Sequence, residues 1–394
     1  MDSYIPFVYN TEDLMTVKQH FPKARMLRTT SSRAKLLQTT MRGEGFDIPL
    51  WVDGEFDGFH RLPSRVDPKW QATFYQLDLA SELVRAESIT KRDEPAVKRA
   101  AFSILDACHV TRPDAISVPQ LPITPGAARN PLNRYLAKAT AEWRVSRNFT
   151  GSLVLPIILA DRHLKLTKEL SKPVVANAAK RYKESGATAY WVVDTKLDDM
   201  SGSQELMTSY LPKLIEFHTM LDGAIGGCHL RIGGPYWGAN LVLWARDLID
   251  APAISAGKGF RYHIPAGYKR SSDTSWITLT PLRRRIRVSD SLRVWLGEAL
   301  EIIDSDSDAY KSLNSIYSEF QLLQDKKYSI NQVASSYARW LSMLEEKPSE
   351  GRALTLYMDL SSAYVIGRTL PRFPKKETPV NPSRVAETLM LSCL

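Results

Sequence analysis

Between about residues 24 and 285, short apolar runs alternate with helix-length segments, and this rhythm constrains the fold more than any other property of the chain. The strand-like runs are ARMLRT at 24–29, IPLWVD at 48–53, AISVPQLPI at 115–123, GSLVLPIIL at 151–159, ATAYWVVD at 187–194 and GGCHLRI at 226–232, with shorter ones at 252–256 and 276–279. Between them, 31–42, 70–85, 95–108, 166–185, 204–221 and 239–248 carry apolar residues at helical spacing. Brief strands separated by helices are what parallel strands with crossover connections require. Seven or eight such strands are too many for a small open sheet and fit an α/β fold of the (βα)8 TIM-like barrel type, which takes about 250 residues. A doubly wound open sheet is the alternative, weakened because no GxGxxG follows the first strand.

After residue 287 the pattern changes to helices alone, at 290–303, 309–323, 331–344 and 353–367. Ser289 and Ser329 are candidate N-caps. The run PRFPKKETPVNP at 371–382 is linker-like and precedes a short terminal helix. The expected organisation is a barrel over 1–288 and a C-terminal α-helical appendage over 289–394.

Composition excludes several classes. With 44% hydrophobic and 24% charged residues among 394, the chain can bury a core and is not disordered. Cys108, Cys228 and Cys393 are far apart, which argues against a disulfide framework and a structural zinc site; no metal or cofactor is expected. The longest apolar runs, such as 153–160, fall short of a membrane span, and the first residues lack the basic and apolar regions of a signal peptide. The expectation is a reduced, cytoplasmic protein without membrane association.

Barrel enzymes carry their chemistry at the C-terminal ends of the strands, which selects candidates. The run at 48–53 leads into Asp53, Gly54, Glu55, Phe56, Asp57, Gly58, Phe59 and His60, a loop whose carboxylates suit acid–base or nucleophilic work and which equally suits a solvated turn. Asp194 closes AYWVVD, where it can bind substrate or cap the next helix. Asp161 and His163 follow the run at 151–159, and Gln120 sits in VPQLP, placed to read an amide or base edge. Gly233, Gly234, Tyr236 and Trp237 lie between a strand and a helix; such a loop can bind an anion through backbone N–H groups and stack a base, or form a tight turn with core aromatics.

The net charge of +9 is concentrated. Lys258, Arg261, Lys269, Arg270, Arg283, Arg284, Arg285 and Arg287 fall within thirty residues, opposed only by Asp273 and interleaved with Tyr262, His263, Tyr268 and Trp276. Cations among aromatics suit phosphate neutralisation with stacking, although the same arginines can pair with acids of the appendage.

The segment IPLWVDGEFDGF resembles the tRNA-guanine transglycosylase motif in which a barrel strand ends in Asp before a Gly/Phe-rich loop, and LRIGGPYWGANLVLWARDLIDAPAISAGKG is similar in layout to a late βα unit of that superfamily, which includes DNA 7-deazaguanine-inserting relatives. The resemblance spans about 24–285. It implies a TIM barrel that exchanges a base in nucleic acid, with Asp53 as the base-recognising, proton-handling carboxylate and Gln120 as a substrate reader. Two departures stand out. Ser255 and Lys258 occupy the region of the family's nucleophilic Asp, and its Cys/His zinc site is missing.

Three functions are therefore expected in order. The first is base exchange on DNA or RNA by a transglycosylase-like pentosyltransferase, with Asp53, Asp57 and Asp194 as catalytic carboxylates. The second is a non-catalytic nucleic-acid-binding subunit of a phage-defence or DNA-modification complex with other protein subunits. The third is a metal-dependent barrel hydrolase using Asp53, Asp161, His163 and Asp194.

Overall fold

The computed structural model describes residues 4–54, 94–121, 123, 129–159, 168–194, 204–255, 275–373 and 381–393. Eight parallel strands close into a barrel in sequence order: β1 (Ile5–Phe7), β2 (Leu27–Thr30), β3 (Leu50–Asp53), β4 (Ala115–Ser117), β5 (Ser152–Leu159), β6 (Ala189–Asp194), β7 (Leu230–Gly233) and β8 (Ala251–Ser255). Among the described residues the barrel helices are α1 (Thr11–His20), α2 (Ser31–Gly43), α3 (Glu94–His109), α4 (Arg129–Ser146), α5 (Lys168–Ser185), α6 (Gln204–Ile225) and α7 (Gly238–Ala245). The chain is thus a (βα)8 barrel followed by a helical C-terminal region, as the alternation predicts.

Two strand expectations need correction. The run at 276–279 is no barrel strand; it is β9 (Trp276–Leu279), paired antiparallel with β10 (Arg284–Arg287) in a separate hairpin. The vacant place belongs to β1, whose Ile5 and Phe7 align with Ala253 and Ser255 of β8 while Phe7 also aligns with Arg28 of β2. Three residues carry no readable periodicity; ladders on both sides hold this strand in place.

Period-2 alternation sorts the wall into two faces. Inward residues, including Ile5, Trp51, Ala115, Val154, Ala189, Trp191, Ile232, Ala251 and Ala253, form one cluster in the lumen. Outward residues such as Leu27, Val52, Leu155, Tyr190 and Val192 join the helices in the larger core. An eight-stranded lumen is just wide enough for side chains. Two indoles fit here because four of the inward positions are alanine.

The appendage comprises α8 (Asp290–Ile302), α9 (Asp308–Ser318), α10 (Phe320–Leu323), α11 (Lys326–Glu345), α12 (Ser349–Thr369) and α13 (Arg384–Leu391). Ser289 caps α8, its side chain accepting from the Leu292 N–H. Ser329 is not a cap: Asp325 accepts from Lys327 and Tyr328 N–H, and Ser329 lies buried inside α11. A carboxylate beside exposed N–H groups wins the N-terminus through charge as well as geometry. Tyr337, Trp340, Leu356, Leu360 and Leu389 of α11–α13 enter the barrel's outer core. Ile277, Leu279 and Leu282 of the hairpin instead pack with Trp295, Leu296, Leu313 and Phe320 in a second core. The hairpin, although it precedes residue 288, is therefore packed with the appendage.

Helix α12 passes so close to the backbone before α13 that a Cβ on Gly367 would stand 2.6 Å from the Ser383 Cα. Backbone cannot rotate aside as a side chain can. Gly367→Ala should lower the urea midpoint by an amount corresponding to about 1–3 kcal/mol, despite alanine's better helix propensity.

Candidate functional site at the barrel mouth

Because the eight barrel strands are parallel, the ends of β3, β6 and β7 lie at one rim, the C-terminal mouth. What separates the predicted residues is which face of the wall they occupy.

Asp53 follows Trp51 by two residues, so it shares the lumen face above it. Its carboxylate accepts from Arg28 Nη1 at 3.1 Å, and both side chains are 6% exposed. Arg28 also lies between aromatic faces, 4.4 Å from the Phe7 centroid and 4.2 Å from Trp191, with Trp51 at 5.7 Å. Trp51 and Trp191 meet edge to face at 5.1 Å. Their indole N–H groups are satisfied: Trp51 donates to Ser117 Oγ at 2.9 Å and Trp191 to the Gly234 carbonyl at 2.8 Å. The floor of the mouth is therefore a rigid set of two indoles and a sandwiched guanidinium, topped by an aligned carboxylate.

Asp194 stands at the same rim but on the other face. It follows Tyr190 and Val192 in register, and its neighbour on β5 is Leu159; all three belong to the outer core. Its carboxylate accepts from the Tyr210 hydroxyl of α6. Burial and the adjacent Asp194 charge push the Tyr210 hydroxyl well above the ordinary tyrosine range, so it stays a donor. Asp53 and Asp194, two of the three expected catalytic carboxylates and two of the four expected metal ligands, thus face opposite sides of the wall and are not brought together. Asp57, and likewise Asp161 and His163, lie outside the described residues. Among the described residues no three His, Cys, Asp or Glu side chains cluster as metal ligands.

Gln120 is buried beside α4. Its Nε2 donates to the Asn133 carbonyl at 3.0 Å and the Pro119 carbonyl at 2.6 Å, while the Asn133 side chain brackets the N–H and C=O of Leu121. The Gln120 Oε1 is buried without a hydrogen-bond donor among the described residues.

The glycine–aromatic loop is built as structure. Gly234 has φ of +99°, and a Cβ there would collide with the Asn240 side chain. Gly233 is tight as well, its Cβ position 3.0 Å from Ile249 Cγ2. Tyr236 is buried and donates to the Val192 carbonyl at 2.9 Å. Trp237 is buried too, stacked on Tyr337 at 4.8 Å and near Trp340 at 6.0 Å. Neither ring is presented to a base.

Half of the basic run, Lys258, Arg261, Lys269 and Arg270, lies outside the described residues. Of the rest, Arg283 makes a two-pronged pair with Asp359 at 2.8 and 2.6 Å. Arg284 and Arg285 are each 5% exposed, the first over Phe373 and the second between Trp237 and Trp276. These three arginines join hairpin, mouth loop and appendage rather than forming an open basic face. Arg287 is exposed.

Sequence reasoning missed Arg28, Phe7 and Trp191 as parts of the site. The signal for Arg28 was present: in ARMLRT it shares the alternation phase of Met26, an unusual place for a cation unless a buried acid faces it.

No family model and no curated protein matches this chain. Among the described residues, no helix is long and apolar enough to cross a membrane.

The Arg28–Asp53 pair makes a direct prediction. Removing one member takes a partner of opposite charge, 3.1 Å away, from a buried ion, so Arg28→Met or Asp53→Leu alone should cost about 3–5 kcal/mol in chemical unfolding. The double variant should recover most of that loss, and strictly additive costs would show that the pair is not coupled.

A second prediction concerns the wall behind the mouth. His218 of α6 is fully buried against Gly233, with neither ring nitrogen hydrogen-bonded among the described residues, and burial holds its pKa down to about 3. The unfolded chain, with an ordinary histidine near 6.5, binds the proton more readily. Its contribution to stability is therefore complete above pH 6.5 and shrinks as pH falls toward 3. Between pH 7 and 4.5 the unfolding free energy of the wild type minus that of His218→Phe should drop by about 2.5 kcal/mol. A constant difference would contradict the buried neutral state.

Proposed function

We propose that the barrel mouth handles a planar, nitrogen-rich base carried by nucleic acid, with Asp53 as the carboxylate that recognises the base and moves its proton. The observation that carries this reading is the position of Asp53: inward at the C-terminal rim, shielded from water and oriented by Arg28. A carboxylate so fixed accepts N–H groups from a ring edge without reorganising. The indoles of Trp51 and Trp191 lie below it as a rigid apolar floor. The Gln120 Oε1 is a second acceptor whose burial without a donor costs free energy that a substrate N–H would recover.

In base exchange a carboxylate attacks the anomeric carbon, the leaving base takes a proton, and the incoming base reverses both steps. The likeness of IPLWVDGEFDGF to the transglycosylase motif assigns the proton-handling part to Asp53. Asp194, on the outer face of the wall, is not assigned the nucleophile's part in this reading.

That orientation favours one other reading, a nucleic-acid-binding subunit without catalysis. Incorporation of radiolabelled guanine or 7-deazaguanine into DNA and RNA separates the two. Base exchange predicts incorporation by the wild type and a loss of at least about a hundredfold in Asp53→Asn, which keeps the shape of the site. Nucleic-acid binding without incorporation supports the subunit reading, and full activity in Asp53→Asn excludes Asp53 from the chemistry.

A further inference from the structure

The hairpin beside the mouth carries an alternating stack of cations and rings. It starts on Tyr337, 4.8 Å from Trp237 of the mouth loop. Arg285 lies over Trp237 at 5.6 Å and over Trp276 at 5.1 Å, and Arg287 covers Trp276 at 5.3 Å. The register explains the order. Trp276 is directly opposite Arg287 and Thr278 opposite Arg285, so all four side chains share one face of the hairpin.

The inner end of this stack is closed and the outer end is open. Trp237 and Arg285 are buried, Trp276 is half-buried and Arg287 is exposed. Among the described residues the Arg287 side chain makes no hydrogen bond and no ion pair, whereas its neighbour Arg283 is bound to Asp359. The nearest acid in sequence, Asp290 in the first turn of α8, forms no ion pair with it. One face of the Arg287 guanidinium rests on an indole that is itself fixed by Arg285, so the fork has little freedom left to lose on binding, and its edge donors are unused.

We infer that Arg287, on the open end of this ladder, is a phosphate-binding residue that holds the backbone of a nucleic acid while a base enters the mouth. The inference rests on the mouth reading above and names its partner contact. The chemistry is specific: a guanidinium fork matches a phosphodiester in two-pronged geometry, and the part-exposed Trp276 beside it offers a ring edge to a neighbouring base. The location follows from Trp237, which belongs both to the rim loop after β7 and to the ladder. An anionic lipid surface would engage the same charge, but it needs apolar anchors, and here the aromatic faces are already occupied by arginines.

The test is binding of labelled 20-mer oligonucleotides, as single-stranded DNA, single-stranded RNA and duplex DNA, by fluorescence anisotropy across a salt series. Arg287→Ala should weaken binding about five- to tenfold and lower the log–log salt slope by about one, because one phosphate contact is lost. Arg287→Lys, keeping charge without the fork, should fall between the two. Arg339→Ala, which removes an exposed cation elsewhere, should leave binding near wild type. Equal affinities and slopes for wild type and Arg287→Ala would overturn the inference, as would vesicles of anionic lipid being bound through Arg287 when no oligonucleotide is. Asp53→Asn, which touches no phosphate contact, should keep the wild-type salt slope while losing base incorporation. Loss of binding in Arg287→Ala together with full activity in Asp53→Asn would refute the mouth reading alone.

Discussion

The structure depends on one arrangement inside the barrel, a guanidinium held between aromatic rings and tied to a carboxylate. A lone arginine in a closed lumen would be prohibitively expensive. Arg28 survives there because Phe7 and Trp191 cover its faces and Asp53 neutralises its edge. Each condition then imposes another. The rings need alanine at Ala115, Ala189, Ala251 and Ala253 so that the lumen can hold them. Their N–H groups need the Ser117 hydroxyl and the Gly234 carbonyl. Gly234 must accept a φ of +99° with Asn240 packed against it. The glycine loop after β7, which reads in sequence as a ligand cradle, is thereby linked to the floor of the mouth through a backbone acceptor.

The appendage is tied to the same loop from outside. Trp237 adopts φ of 50° and ψ of −127°, a conformation that costs a residue with a Cβ of order 1–3 kcal/mol. The strain is held by contacts on every side: Tyr337 donates to its carbonyl at 3.2 Å, and Tyr337, Trp340 and Arg285 cover the ring. Arg283 and Trp340 share the Asp359 carboxylate, which binds hairpin, α11 and α12 at one point. Helices α11–α13 therefore complete the barrel's outer core and fix the shape of one segment of its rim.

Much of the fold was legible because the barrel repeats one physical rule. Seven of the eight strands overlap runs read from apolar patterning, four lying wholly within them and β2, β7 and β8 reaching one residue beyond, and the helix following residue 289 begins at its expected cap. The failures have particular causes. β1 is too short for a pattern and exists through pairing with β2 and β8. β9 reads like a barrel strand because WITL is apolar, but its apolarity serves the second core with Trp295 and Phe320. The segment at 309–323 breaks into α9 and α10 at Glu319, whose ψ of 9° departs from the helix without any glycine or proline to announce it.

The site was legible only in part, because strand ends and strand faces are different pieces of information. Asp53 and Asp194 both close apolar strands, and position alone ranks them equally. Parity separates them. Asp53 follows Trp51, whose neighbours in the cluster are lumen residues, and Asp194 follows Val192, which packs against helices. In a barrel buried on both faces, both phases are apolar, so hydrophobicity does not mark the lumen. Residue size does. The lumen phase of β4 and β8 carries alanine, as the narrow interior requires, and the outer phase carries Ile116 and Ile254, whereas on β3 and β6 the indoles of Trp51 and Trp191 take the room those alanines leave. A strand-end carboxylate in phase with the small residues faces the lumen, unless, as on β3, a large lumen side chain takes the space those alanines leave. By that rule the pairing of Arg28 with Asp53 follows from register alone, since two oppositely charged inward side chains on adjacent strands, at the levels of Trp51 and Thr30, have each other as the nearest neutralising group.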